Sequence, residues 1–289
     1  MLTPKSVALV VGGSRGIGRQ IAIDLAQNGH AVVVTGKSTS DAAKVIPYPP
    51  DPHSSESTIN TVAREITEAG GDAIAIAADT RDEVAVQSLL SETMRSYGRL
   101  DVVIYNTGAI WWASVEDTPM KRFQLLQRVN PEGLYSVIQA SLPLFKQNGW
   151  KGRIVVVSPP IYSRFFRGKT AYAMGKIAMS VLTKGLAMDF ERQGKTEMAI
   201  TSLWPATTIF SDAVLAILRS PAGAVNGLLE LDEDFLRNYS GVSDFSKYSL
   251  VDGATPRRIM PATLPDLRVA EQDDEGKRVD SAALRISKL

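Results

Sequence analysis

The sequence predicts an α/β protein: a doubly wound parallel sheet of roughly seven strands, covered by helices on both faces, in a single domain. Three observations carry that expectation. Short runs of β-branched and apolar residues alternate with longer helix-like stretches along most of the chain. The first run, Val7–Val11, passes through a glycine-rich turn straight into a helix. Polar residues and glycines recur just after the strand-like runs, at the carboxyl edge where open parallel sheets bind ligands.

In chain order, Val7–Val11 is the first strand, Gly16–Asn28 a helix and Ala31–Thr35 the second strand. Residues 39–55 hold Pro47, Pro49, Pro50 and Pro52, which exclude helix and central strand and predict a surface insertion. Ser57–Ala69 returns to helix and stops at Gly70-Gly71. Ala73–Ala77 is a strand, Asp82–Tyr97 a helix and Asp101–Tyr105 the fourth strand. Pro119–Phe145 is helical with a bend near Pro131, and Arg153–Val157 is a strand. Ala171–Arg192 is a long helix rich in small residues, Met198–Leu203 a strand and Gly227–Leu231 a seventh. Residues 1–240 make the domain and 241–289 a C-terminal extension, in which Asp266–Arg278 reads as a mobile charged tail.

Composition removes several functional classes. A net charge of +1 supplies no field for nucleic acid or an anionic membrane. The absence of cysteine excludes disulfides, thiol nucleophiles and cysteine–zinc sites, and His30 and His53 alone argue against a metal centre or a histidine triad. No apolar run reaches the roughly 18 residues of a membrane span, and the N-terminus lacks a signal-peptide pattern. A soluble intracellular protein is expected.

The glycine turn has a G-x3-G-x-G spacing at Gly12, Gly16 and Gly18, with Ser14, Arg15 and Ile17 between them. Glycine permits positive φ and close approach of a pyrophosphate, and the helix that follows offers unpaired N–H groups and a positive dipole end. Gly36-Lys37-Ser38, Asp79, Asn106–Gly108, Ser158 and Pro205 all follow strands and are expected along the same edge. On the long helix, Tyr172 and Lys176 stand four apart and so share a face. An ammonium near a phenol favours the phenolate and lowers its pKa, and such a phenol can exchange a proton with a carbonyl oxygen as hydride arrives. Read alone, the same spacing also fits a solvated helix face.

Taken together, the glycine turn, Tyr105-Asn106-Thr107-Gly108 after the fourth strand, and Tyr172-x3-Lys176 resemble the short-chain dehydrogenase/reductase family, over about residues 5–235. The resemblance implies a Rossmann-type sheet and a nicotinamide cofactor, with Tyr172 as acid/base, Lys176 also on the nicotinamide ribose, Asn130 holding a water in a proton relay and Asp79 meeting the adenine ring. It also implies a homodimer or homotetramer. We expect the long helix to pack against its twin through the thin side made by Ala171, Ala173, Gly175 and Ala178.

The sequence departs from the family where a serine is usual, 13 positions before the tyrosine; Pro159 stands there, after Ser158. Proline has no donor, so either Ser158, Tyr162 or Ser163 substitutes or the substrate oxygen is held less well. Val11, Tyr105, Thr107 and Ala206 also differ from the usual pattern. Lys37, Asp117–Arg122, Val157–Pro160, Leu203–Pro205, and Leu231–Glu233 followed by Phe245 and Tyr248 resemble one peroxisomal subgroup of the family, which also tends to carry Ser-Pro-Pro. Its animal members add a sterol-carrier-like domain, for which these 289 residues leave no room.

Charge points to NADP(H). No acid follows the second strand, and Lys37, Arg15 and Ser38 match a 2′-phosphate, although both cations also suit a solvated surface. Trp111, Trp112, Phe165, Phe166 and Trp204 suit the wall of an apolar substrate pocket or, equally, a loop core. We therefore expect NADPH-dependent reduction of a carbonyl, or oxidation of an alcohol, on an apolar substrate. An enoyl-thioester reductase, which does not need the missing hydroxyl, and a non-catalytic scaffold or cyclase are the alternatives. The chain ends in Ser287-Lys288-Leu289, a peroxisomal import signal read by a receptor, which predicts a peroxisomal address.

Overall fold

The computed structural model describes residues 5–45, 48–49, 54–161, 168–204 and 209–249. Among them, seven strands form one parallel sheet: β1 (Val7–Val11), β2 (Ala31–Gly36), β3 (Asp72–Ala77), β4 (Val102–Tyr105), β5 (Gly152–Val157), β6 (Met198–Trp204) and β7 (Leu229–Leu231). Their order is β3-β2-β1-β4-β5-β6-β7, so the chain winds outward from β1 in one direction and then from β4 in the other. That reversal puts a crevice at the carboxyl ends of β1 and β4. The register Val11↔Thr35 and Val11↔Tyr105 brings the ends of β1, β2 and β4 level.

The strands are apolar on both faces because helices cover both. Ala8 and Val10 join Val32, Val34, Ile104 and Val155 in one core, with Ile21 and Leu25 of helix α1 (Gly16–Gln27), Val62 of α2 (Ile59–Glu68), and Phe210 and Val214 of α7 (Phe210–Arg219). Their neighbours Val7, Leu9 and Val11 turn the other way. They meet Leu89 of α3 (Glu83–Tyr97), Val137 of α5 (Gly133–Gln147) and Phe190 of α6 (Thr170–Arg192). The period of two along β1 thus divides one strand between two cores. Between them, α4 (Met120–Gln127) leads to α5.

The bend expected near Pro131 is a π-helical turn, Arg128–Glu132. Proline has no N–H to give an α-helical bond, and a wider turn accommodates it. The described part of the proline-rich insertion is tied to α1 and α2. Arg19 forks onto Glu65 at 3.0–3.1 Å and donates to the Pro49 carbonyl at 3.0 Å, while Ser57 donates to the Ser14 carbonyl at 2.6 Å.

Three helices after β6 have no counterpart in the sequence expectation: α7, α8 (Ala222–Val225) and α9 (Asp232–Ser240). The packed domain also runs past residue 240. Phe245 is buried in the first core under the Arg237 guanidinium, 4.4 Å from its ring, and the Tyr248 hydroxyl donates to Asp212 at 2.5 Å.

Candidate active site

The glycine turn closes on β4. Gly12 has φ +85°, and a Cβ there would stand 2.7 Å from the Thr107 backbone nitrogen. A Cβ on Gly18 would stand 2.1 Å from the Gly12 carbonyl oxygen, which also accepts from Asn106 Nδ2 at 3.0 Å. The turn therefore has room only for glycine at these two places. Helix α1 begins behind it with no side-chain cap and no acid in its first turn, so its end suits an anion. Gly16, Ile17, Ser14 and Arg15 lie in this turn, and Arg15 Nη2 donates to Ser38 Oγ at 3.1 Å. Lys37 Nζ lies 3.9 Å from the Asp79 carboxylate, which Arg81 grips through both oxygens at 2.5–3.0 Å. The Arg81 fork holds the Asp79 pKa below the usual carboxylate value. These residues fit a dinucleotide phosphate chain and an adenosine end.

The reacting end lies across the crevice, at the carboxyl ends of β4 and β5. Lys176 is fully buried, and its Nζ donates to the Val157 carbonyl at 2.8 Å. A Cβ on Gly108 would sit 3.2 Å from Lys176 Nζ and 3.3 Å from Asn130 Oδ1, so these two side chains converge there. Asn130 projects from the π-helical turn, accepts from Ala109 N at 2.8 Å and donates to Ala109 O at 3.2 Å. Its carboxamide thereby pins the loop that carries Gly108. Tyr105, which departs from the family at this position, donates its hydroxyl to the Val129 carbonyl at 2.7 Å and so braces the turn that presents Asn130. Tyr172 is 4% exposed and packs with Leu126, Ala171 and Ala173 against Trp111, Phe123 and Trp204, with the Trp112 ring edge-on at 6.5 Å.

The electrostatics differ from the expectation. Burial pushes the Tyr172 phenol up to about 12 and the Lys176 ammonium down to about 7. An apolar environment disfavours each charged form, and Lys176 directs its Nζ to Val157. Tyr172 is therefore held as a proton donor instead of being primed as a phenolate.

Ser158 is hydrogen-bonded within the protein. Its hydroxyl is fully buried, 2.8 Å from Ser202 Oγ and 3.1 Å from Ser180 Oγ. Ser180 donates to the Pro159 carbonyl at 2.6 Å and Ser202 to the Ser158 carbonyl at 2.5 Å. Ser180 stands eight residues beyond Tyr172 on α6, about 12 Å along the axis. The structure thus engages Ser158 deep between β5, β6 and α6. A correction concerns α6: Ala171, Ala173 and Gly175 are buried against their own chain, with Gly175 facing Asn130 and Leu126, so of the expected thin side only Ala178, which lines the groove between α5 and α6, lies outward.

Pro205, Tyr162, Ser163, Phe165, Phe166, Ala206, His53 and the Ser287-Lys288-Leu289 tail lie outside the described residues. Sequence reasoning passed over Arg81, Ser180 and Ser202. Arg81, two residues after Asp79 in a loop, carried a readable charge signal; the serines carried none, because their partners come from separate elements. Among the described residues no group of three His, Asp or Glu side chains converges as for a metal, and no helix is long and apolar enough to cross a membrane.

The short chain dehydrogenase family model matches residues 6–48 and 53–213. The chain belongs to this family. It is 29% identical to hydroxysteroid dehydrogenase-like protein 2 of Mus musculus over 92% of this chain and 54% of that protein. It thus spans about half the length of that relative. A putative dehydrogenase from Xanthomonas campestris superposes with TM-score 0.74 at 32% identity, over 93% of this chain and 100% of that one. A short-chain dehydrogenase from Mycobacterium thermoresistibile gives TM-score 0.76 at 31% identity, over 91% and 98%. Nicotinamide cofactors are the family's hydride carriers, and the glycine turn has the shape to hold one.

Proposed function

We propose that this short-chain dehydrogenase uses NADPH to reduce a carbonyl, or NADP to oxidise an alcohol, on an apolar substrate. The observation that carries the reading is Tyr172: a phenol kept protonated by burial, walled by Trp111, Trp112, Phe123 and Trp204, on the same helix as Lys176. The chemistry such a cofactor supplies is a hydride. Tyr172 gives its proton to the carbonyl oxygen, which becomes the alcohol hydroxyl, and the phenolate left behind is stabilised by the protonated fraction of Lys176. Asn130 and Tyr105 hold the loop and turn that shape this end of the crevice. Arg15, Lys37 and Ser38 favour a 2′-phosphate, and no acid follows β2 to hold a bare ribose. Calorimetry is expected to show NADPH binding at least about tenfold tighter than NADH; equal affinities overturn the cofactor choice. Tyr172→Phe is expected to keep NADPH binding and lose roughly 10²–10⁴ of turnover; near-full turnover overturns the acid/base role.

A second reading, an enoyl-thioester reductase, is favoured by one observation: Ser158 is engaged with Ser180 and Ser202, and Pro159 has no donor. Reduction of a C=C bond does not need that hydroxyl.

We further propose a homodimer or homotetramer through the outward faces of α5 and α6. An apolar groove of about 750 Å³ runs there between Tyr135, Ile138, Leu142, Val181, Leu182 and Leu186, with Tyr135 and Val181 exposed. A monomer in light scattering at micromolar concentration overturns this. The C-terminal Ser-Lys-Leu supports import into peroxisomes through the receptor that reads it. An N-terminally tagged chain is expected in peroxisomes and, without its last three residues, in the cytosol; a diffuse signal from the intact chain overturns the address.

A further inference from the structure

Three charged side chains meet at the carboxyl ends of β2 and β3, Lys37 from one side and Asp79 and Arg81 from the other, while Arg15 donates to the neighbouring Ser38. They include a contradiction. Asp79 is a carboxylate within 3.9 Å of Lys37, the cation best placed for a 2′-phosphate. An acid in this position opposes a phosphate twice, by occupying its cation and by repelling it directly.

The geometry resolves the conflict. Arg81 Nε lies 3.0 Å from each Asp79 oxygen, Nη2 lies 2.5 Å from Oδ2, and the Arg81 backbone N–H adds a bond at 3.1 Å. Only the planar guanidinium fork can engage both oxygens in this way. Lys37, at the longer distance and with its side chain 60% exposed, is the partner left free to turn elsewhere. We propose that Arg81 is a coenzyme-specificity residue: by neutralising Asp79 it leaves Lys37 free to turn to the 2′-phosphate. The inference rests on the NADP(H) reading above and adds a residue to it that need not touch the cofactor.

A double-mutant cycle tests it without any activity assay. Affinities for NADPH and NADH are measured by calorimetry for the wild type, Arg81→Gln, Asp79→Asn and the double variant, and the readout is the ratio of the two affinities. In the wild-type background, Arg81→Gln is expected to shift the ratio toward NADH about tenfold, as an unscreened carboxylate then faces a dianionic phosphate. In the Asp79→Asn background the same change is expected to move the ratio less than about twofold, since no charge remains to neutralise. An equal shift in both backgrounds, or no shift in either, overturns the proposal. Both arms are read whatever ratio the wild type shows, so a wild type without NADPH preference counts against the cofactor reading alone. Arg81 and Asp79 are both partly exposed, and a thermal melt of each variant separates a lost fold from a lost charge.

Discussion

Replacing Lys176 by methionine should make the protein more stable at neutral pH, by an amount that disappears on going alkaline. The side chain is fully buried and its pKa is pushed down from 10.5 to about 7 by desolvation. In the unfolded chain it keeps its ordinary value, so between those limits the unfolded state binds more protons and stability rises with pH. Those two pKa values give a penalty of roughly 4 kcal/mol at pH 7.5 and roughly 1 kcal/mol at pH 9.5. Wild type should therefore gain roughly 2–3 kcal/mol over that window relative to Lys176→Met. Losing the bond to the Val157 carbonyl subtracts about 1–2 kcal/mol from the variant at both pH values and leaves the difference intact. Tyr172, with its pKa pushed up to about 12, contributes stability that is lost only above pH 10, outside the window. Urea unfolding of both proteins at the two pH values is the measurement. Parallel pH profiles would refute the reasoning, because they would mean that Lys176 is not desolvated in the folded state.

Three further outcomes follow from contacts around the crevice. Tyr105→Phe removes the hydroxyl donor to the partly buried Val129 carbonyl and should cost about 0.5–1.5 kcal/mol in urea unfolding. Gly18→Ala forces a Cβ to within 2.1 Å of the Gly12 carbonyl and should weaken NADPH binding by more than about tenfold in calorimetry. Ser158→Ala should cost about 1 kcal/mol of stability yet leave turnover within about threefold, because its hydroxyl serves Ser180 and Ser202. A hundredfold loss would return Ser158 to the reacting oxygen.

The strands were legible because burial on both sheet faces writes continuous apolar runs, as at Val7–Val11 and at residues 154–157. The glycine turn was legible for a steric reason that the structure makes explicit at Gly12 and Gly18. The helices after β6 were not. Helix α8 is only four residues long, and α9 opens on three acids, Asp232, Glu233 and Asp234, with Phe235 and Leu236 packed in the core only by the tertiary fold. Residue types at the site could be read, but their protonation could not. Spacing put Tyr172 and Lys176 on one helix face and suggested mutual activation, whereas the depth of burial, set by Trp204, Leu126 and the β4–α4 loop, drives both toward neutrality. The partners of Ser158 were hidden for the same reason: chain position placed it after a strand, and only two partners from α6 and β6 reveal which way its hydroxyl turns.

That orientation of Ser158 bears on which bond is reduced. A hydroxyl on the substrate oxygen stabilises developing charge there, and one such donor contributes about 10²–10³ in rate. Carbonyl reduction puts a proton on that oxygen, and Tyr172, kept as a phenol, can deliver it unaided. Reduction of an enoyl thioester sends hydride to the β-carbon and the proton to the α-carbon, and the oxygen carries charge only in passing. The two outcomes separate in heavy water. Product formed in D2O with unlabelled NADPH carries a stable C–D bond at the α-carbon if C=C is reduced, and only exchangeable O–D if C=O is reduced. We expect the second, with no carbon-bound deuterium in the mass spectrum after back-exchange into H2O. One deuterium retained per turnover would refute carbonyl reduction and assign the Pro159 departure to a chemistry that no longer needs the serine.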